Sequence, residues 1–479
     1  MKLDKLFEGI EFVGDIDVDM ECLALTIDSR KCQEGCVFFA MRGVREDGNN
    51  YVSDAIANGA ILVVSEVSLP SVIPHIVVKD IRRALSIASG NFYYNFYKKL
   101  KIIGVTGTNG KTTTCRMIKA ILEKDNKRVA IFGTLGVEIG GISYASDLTT
   151  PDPIELHKFF QTAYLAGVDY VVMEVSAHAI FLKKMHGIVV DVAVFTNLTQ
   201  DHLDFFDNME AYALTKAGYF KPEFMKYAVV NVDDEIGRKI LQDGNVPTAT
   251  FGIFNPADTF AIDYECKSGI KSIINTFDDI FELSTPFSGE FNLYNALGAI
   301  TVARLLGISI LTIREAFFRM PEVEGRFNVL YGKRKVVIDF AHTPDGLENL
   351  LKSARVLTHS KVISVFGCGG DRDSKKRSIM GEISAKYADF TVITSDNPRS
   401  ENPMDIIREI EVGHKRIGNN YVSIPDRKMA VEYAIISAGC DDVVVIAGKG
   451  AENYIEEKGI KRPYSDKNEV LEVFRRYNL

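Results

Sequence analysis

The sequence predicts an α/β protein divided into three domains, and three observations carry that expectation. At 479 residues the chain is too long for one ordinary core, and ~150 residues per domain suggests about three. Short β-branched runs alternate with helical patterns throughout, as layered α/β folds require. Toward the C-terminus, successive strand-like runs end in loops carrying Gly, Asp, Arg and Lys, where open parallel sheets bind ligands.

Composition narrows the class. Hydrophobic residues make up 46% and charged residues 25%, the balance of a soluble globular protein. Lys+Arg 56 against Asp+Glu 64 leaves a net charge of −8, without the basic footprint of a general nucleic-acid binder. No nucleic-acid partner is therefore expected, and any anionic ligand must be held by local cations and backbone N–H groups. Residues 1–9 mix Lys, Asp and Glu, unlike a signal peptide, and no apolar run approaches the ~20 residues that span a bilayer. These features predict a cytoplasmic protein with no membrane insertion. The seven cysteines (22, 32, 36, 115, 266, 368 and 440) are scattered, and only Cys32 and Cys36 lie close together. Without a second pair they do not make a four-ligand zinc site, and reduced structural thiols are expected. Cys368, in a glycine-rich loop, is expected to be partly exposed.

The first domain is placed at residues 1–98, with strand-like runs at 36–40 and 59–64 and the segment Thr26-Ile27-Asp28-Ser29-Arg30. The second, 99–325, opens on a short buried-type strand at 101–105, with further strands expected at 128–132, 170–173, 190–195 and 228–232. The pattern breaks near Glu322-Val323-Glu324-Gly325-Arg326. The third domain, 326–479, then repeats one arrangement four times. Strand-like runs lead into Asp339, into Gly367-Cys368-Gly369-Gly370-Asp371, into Asp396-Asn397-Pro398-Arg399 and into Gly448-Lys449-Gly450. One such loop is only a turn; four at one expected sheet edge favour a site.

The sharpest local signal is Gly104-Val105-Thr106-Gly107-Thr108-Asn109-Gly110-Lys111-Thr112-Thr113-Thr114, between an expected strand and a helical pattern at 115–124. Glycines let backbone N–H groups approach phosphate oxygens, and the helix N-terminus adds favourable partial charge. The loop residues Gly107, Thr108, Asn109, Gly110, Lys111, Thr112 and Thr113 are the candidate ATP contacts. Lys111 would reach the β/γ-phosphates and the Thr112 hydroxyl would ligate Mg²⁺. Five residues, not the usual four, separate Gly104 from Gly110, so the spacing is not the strict Walker form.

Four further residues are candidates whose own sequence context differs in weight. Glu174, in Met173-Glu174-Val175-Ser176-Ala177-His178, ends an expected strand, where one carboxylate suffices for Mg²⁺ beside phosphates and waters. His202 reads either as a ligand of a second metal ion or as a structural histidine. Lys216, in a helical stretch at 209–220, reads on its own as a solvated helix lysine. Asn295 reads on its own as a helix cap.

Taken together, five blocks in order resemble the Mur ligase family across essentially the whole chain. They are Gly107-Thr108-Asn109-Gly110-Lys111-Thr112, Glu174-Val175-Ser176-Ala177-His178, Asn197-Leu198-Thr199-Gln200-Asp201-His202-Leu203-Asp204, Asn292-Leu293-Tyr294-Asn295-Ala296 and Asp339-Phe340-Ala341-His342-Thr343-Pro344-Asp345. The resemblance implies a small α/β N-terminal domain binding a UDP-sugar, a central P-loop-type mononucleotide-binding domain, and a C-terminal Rossmann-like domain that receives an amino acid. Asp28-Ser29-Arg30, Thr149-Thr150-Pro151-Asp152, Gly367 to Asp373 and Asp396-Asn397-Pro398-Arg399 resemble family members that add the third residue of the peptide. The arginine of the last block resembles those selecting meso-diaminopimelate, and its fork suits the distal carboxylate that lysine lacks.

By resemblance, Ser29 grips the uridine diphosphate, while Thr149, Thr150, Ser176 and Lys184 hold the muramoyl-peptide arm. Lys111, Thr112, Glu174 and His202 form the phosphate and Mg²⁺ site, joined by Lys216, which matches the lysine carbamylated in this family. Asn295, Arg326 and Asp339 contact ATP. Arg372, Asp396, Asn397, Arg399, Gly448 and Glu452 receive the incoming amino acid. The implied partners are UDP-N-acetylmuramoyl-dipeptide and a diamino acid, acted on by a monomer in the cytoplasm. Three positions depart from the family pattern: Ala451 replaces a histidine, Asn49 replaces another, and Lys184 replaces an arginine. The same ligation with lysine or another amino acid stays open, as does a phosphate-loop ATPase driving a conformational change in a partner.

Overall fold

A computed structural model describes residues 1–479 apart from positions 44, 45, 71, 147, 268 and 278. Three successive sheets organise the chain, each covered by helices on both faces. In the first, of five strands, Ala24–Thr26, Cys36–Phe39, Ala60–Ser65 and His75–Val78 run parallel and Phe12–Val13 pairs antiparallel at the edge. Asp28 caps the short turn Ser29–Lys31 by accepting from Arg30 N.

The second sheet has 11 strands. Lys101–Thr106 lies at its centre, between Tyr170–Glu174 and Val190–Phe195 and parallel to both. All but the first residue of that central strand are buried, the continuous burial expected where helices cover both faces. Helices Lys111–Lys124, Glu290–Leu305 and Ile310–Arg319 pack on one face and Pro153–Leu165 on the other. The expected strands at 128–132, 170–173, 190–195 and 228–232 appear as Val129–Gly133, Tyr170–Glu174, Val190–Phe195 and Met225–Asn231. The antiparallel meander Thr259–Glu265, Ile270–Thr276 and Asp279–Thr285, which extends one end of the sheet, was not anticipated.

In the third sheet the parallel strands lie side by side in the order Lys335–Asp339, Val443–Ala447, Val362–Phe366, Phe390–Ile393, Tyr421–Ser423. The strand latest in sequence is thus inserted beside the first, a reversal of order that opens a crevice at the strands' carboxyl ends. Pro344–Arg355, with Thr343 as its cap and proline at its start, packs with Lys375–Tyr387 and Pro403–Lys415 on one face. Arg427–Ser437 and Asp466–Tyr477 cover the other. Cys368, expected to be partly exposed, is buried with its Sγ 3.7 Å from Met380 Sδ, because its loop folds down onto helix Lys375–Tyr387. Among the described residues no helix is long and apolar enough to cross a membrane.

Candidate active site

A cavity of about 710 Å³ lies between the second and third sheets. Every sequence-derived site residue except Ser29 lines it. Ser29 sits buried in the first sheet's layer, where its carbonyl accepts from Asn58 Nδ2 at 3.0 Å. Asn49 also lies outside the cavity, tied to Asp47 and Ser65.

The phosphate loop connects the central strand Lys101–Thr106 to helix Lys111–Lys124. Gly110 adopts φ +86° as the helix cap, and a side chain there would run into Asn295 Oδ1. The helix starts at Lys111, a turn before the expected position, because Gly110 supplies the left-handed turn into it. Asn295 is no cap: it lies inside helix Glu290–Leu305, where its Oδ1 accepts from Thr114 Oγ1 at 3.2 Å.

Beyond the loop, side chains are held in a connected set. Thr112 Oγ1 donates to Glu174 Oε1 at 2.9 Å, and Arg326 Nη2 donates to the same hydroxyl at 3.0 Å. Glu174 also accepts from Thr134 N at 2.9 Å and Thr134 Oγ1 at 3.1 Å. Thr134 Oγ1 lies 3.1 Å from Thr149 Oγ1, and Thr150 Oγ1 donates to the Glu174 carbonyl at 2.9 Å while accepting from Ser176 N at 3.0 Å. Lys184 pairs with Asp152 at 2.7 Å. Asp339 accepts from Phe327 N and Ala341 N, each at 2.7 Å, and burial raises its pKa.

Lys216 is 1% exposed, so it is not the solvated helix lysine its isolated sequence suggested. Its helix, Met209–Ala217, ends sooner than expected and directs the amine beneath the phosphate loop, 2.9 Å from Gly107 O. Burial first, then the nearby Lys111 charge, pushes its pKa well below the usual lysine range. Burial likewise lowers the pKa of His202 to about 3, leaving a neutral imidazole at pH 7.

At the other wall, Lys449 is fully buried and donates to Asn397 Oδ1 at 2.9 Å and Glu452 Oε2 at 3.2 Å, with Asp396 Oδ1 at 3.4 Å. Asn397 Nδ2 donates to Glu452 Oε2 at 3.0 Å. Arg399 Nη1 donates to Gly370 O at 2.7 Å, and its Nε lies 3.5 Å from Glu456 Oε2. Arg372 Nη1 is 3.5 Å from Asp204 Oδ2. Gly448 has φ +112°, and a side chain there would meet Asp396.

Sequence reasoning assigned no role to Asp201, Lys376, Thr134 or Asp345, all of which line the cavity. Asn109 Nδ2 donates to Asp345 Oδ2 at 2.9 Å, so the phosphate loop touches the third sheet's layer directly. Asp201 and Asp345 stood inside motif blocks, and that was the available signal. Lys376 had none.

The sequence and the fold have counterparts in known proteins. The sequence matches, in order, the Mur ligase family catalytic domain over residues 23–93, the Mur ligase middle domain over 105–303, and the Mur ligase glutamate ligase domain over 325–450. A protein of Caldanaerobacter subterraneus subsp. tengcongensis named UDP-N-acetylmuramoyl-L-alanyl-D-glutamate–2,6-diaminopimelate ligase is 42% identical over 482 residues, covering 99% of each chain. A Clostridium acetobutylicum protein of the same name, numbered 1, is 40% identical over 485 residues, again covering 99% of each. A solved structure bearing that ligase name superposes with a TM-score of 0.70 at 29% identity, over 100% of this chain and 99% of the other. The MurF ligase of Thermotoga maritima, solved in complex with ADP, shares the fold at a TM-score of 0.63 and 20% identity, over 96% of this chain and 99% of its own. With three of its segments matched in order and relatives alike over nearly their full lengths, the chain belongs to the Mur ligase family.

Proposed function

We propose that this chain is an ATP-dependent amide ligase of peptidoglycan precursor synthesis. It adds meso-diaminopimelate to the D-glutamate of UDP-N-acetylmuramoyl-L-alanyl-D-glutamate. The observation that carries this reading is the single cavity in which the phosphate loop faces Arg372, Arg399 and Glu452. Residues 1–98 would hold the UDP-sugar through Ser29, residues 99–325 the ATP, and residues 326–479 the amino acid.

The donor chemistry fits Mg²⁺: one carboxylate and one hydroxyl, Glu174 and Thr112, lie 2.9 Å apart at the phosphate loop. His202 faces the same cavity as a neutral imidazole, and Lys216 would join as its carbamate. When bound, the ion supplies charge stabilisation to the transferring phosphoryl group.

The reaction has two steps. A D-glutamate carboxylate oxygen attacks the ATP γ-phosphorus, the bond to the β-phosphate oxygen breaks, and ADP leaves. The amine of diaminopimelate then attacks the acyl carbon, phosphate departs, and the ammonium proton is lost as the amide forms. Lys111 neutralises charge on the transferring group, acting by position and electrostatics. Glu452 orients the amine, while Arg399 offers its fork to the distal carboxylate. The cleft walls keep water from the acyl phosphate.

The test incubates the protein with ATP, Mg²⁺ and UDP-N-acetylmuramoyl-L-alanyl-D-glutamate, adding meso-diaminopimelate or lysine in parallel. Phosphate release and product mass are read together. Product with diaminopimelate alone supports the reading, product with lysine alone rejects the acceptor, and product with neither rejects the ligation.

A further inference from the structure

Asp201 is 5% exposed, yet both of its carboxylate oxygens face charged or titratable groups. Oδ1 lies 3.2 Å from Lys376 Nζ. Oδ2 lies 3.3 Å from His202 Nε2 and 3.5 Å from His342 Nε2. His202 belongs to the same loop as Asp201, but His342 and Lys376 come from the third sheet's layer, across the cleft. Lys376 is itself only 5% exposed, on the first turn of helix Lys375–Tyr387, so the pair is shielded from water. A buried carboxylate needs a partner charge, because leaving it unpaired in a low-dielectric site is strongly unfavourable. Among these contacts only Lys376 supplies a permanent one. Asp201 therefore has a comfortable environment only when the third layer is docked.

The contact is one of a series. Arg372 reaches Asp204 at 3.5 Å, Asp373 Oδ2 accepts from Gln200 Nε2 at 3.3 Å, and Lys376 reaches Asp201. Residues 372–376 are thereby tied to residues 200–204 at three points. One segment carries Arg372, at the amino-acid wall; the other carries His202, at the phosphate wall.

We propose that the Lys376–Asp201 ion pair is the positioning contact that holds His202 at the phosphoryl-transfer site and ties it to the loop receiving the amino acid. The proposal rests on the ligase reading above. Lys376 acts through Asp201 and is a positioning residue. Its removal leaves an uncompensated carboxylate in the cleft, loosening both segments, while arginine at the same position preserves the charge.

The experiment uses the whole protein and the variants Lys376→Met, Lys376→Arg, Asp201→Asn and the double variant Lys376→Met/Asp201→Asn. Ligation rates are read beside melting temperature and amide hydrogen exchange over residues 197–204. Lys376→Met is expected to lower kcat at least ~30-fold with KM for ATP within about threefold, and to speed exchange in that segment. Lys376→Arg should stay within about fivefold of the parent. Because the pair acts as a unit, the double variant should be no more than about threefold worse than the poorer single variant. Multiplying effects overturn the proposal, as does a normally melting Lys376→Met with near-parental kcat and unchanged exchange. If Lys376→Met melts early, Lys376→Gln is judged by the same criteria. Lys111→Ala is run in parallel. A parent protein that forms no product defeats the ligase reading itself, and an active Lys111→Ala removes the nucleotide site from its loop. An active parent with an inactive Lys111→Ala beside a normal Lys376→Met defeats only the ion-pair proposal.

Discussion

Lys111 and Lys216 donate to one acceptor: the Gly107 carbonyl oxygen lies 2.9 Å from each Nζ. Two ammonium groups converging on one carbonyl in a buried site repel, and the more enclosed amine, Lys216, holds its proton less tightly than an ordinary lysine. A neutral Lys216 amine is a nucleophile for CO₂; its nitrogen bonds to carbon, one proton leaves, and a carbamate anion forms. With ¹³C-bicarbonate, the protein should show a carbamate carbon resonance that Lys216→Met lacks. The signal should fade as pH falls, since protonation removes the nucleophile. Lys216→Met should also lose at least ~100-fold in ligation rate. An active Lys216→Met without any carbamate signal in the parent would reject this role.

Lys111→Ala should reduce ligation by ~1,000-fold or more, because the transferring phosphoryl group loses its cation. Phosphate release with saturating substrates checks this. Near-normal release would remove the nucleotide site from this loop.

Arg399→Ala should raise KM for meso-diaminopimelate at least ~20-fold, with KM for ATP within about twofold, since a bidentate fork is lost on one side only. Initial rates with each substrate varied in turn make the comparison. Equal changes in both constants would mean that Arg399 shapes the fold rather than the acceptor pocket.

His157 gives a pH prediction away from the cavity. It is buried against Tyr97 and Phe160, and among the described residues neither ring nitrogen has a hydrogen-bond partner. Burial lowers its pKa to about 3, against an unfolded value of about 6.5. Between those values the unfolded chain binds the extra proton, so stability rises with pH across that window and is lost as pH falls through it. At pH 5 the penalty is about 2 kcal/mol. His157→Phe should therefore show a smaller fall in melting temperature from pH 7 to pH 5 than the parent. An equal fall in both would show that this histidine is not the acid-sensitive group.

What the sequence displayed depended on how local each signal was. The phosphate loop was legible because its glycines, lysine and threonines are contiguous, and Gly107 and Gly110 do take the positive φ that such a loop needs. The loops after Asp339, Phe366, Ile393 and Ala447 were legible because the strands before them are short, mostly apolar, β-branched-rich runs. Lys216 alone was misleading: helix spacing reports which face is apolar, but not that a loop 109 residues earlier covers the amine. The Asp201–Lys376 pair joins residues 175 apart and leaves no periodic trace. The meander at 259–285 escaped because its strands alternate buried and exposed residues among polar side chains, so no apolar run marks them.

The position of Val443–Ala447 between Lys335–Asp339 and Val362–Phe366 bears on the order of events during synthesis. A ribosome releases the chain from its N-terminus, so the central sheet and the helices that cover it can close while the last third is still being made. The third sheet cannot. Its first two parallel strands wait more than 70 residues for the one that must slide between them, with unpaired backbone edges on both. The third sheet is therefore the part of the nascent chain most in need of protection from aggregation. Early termination anywhere before residue 443 would leave a gap within that sheet rather than a shortened rim.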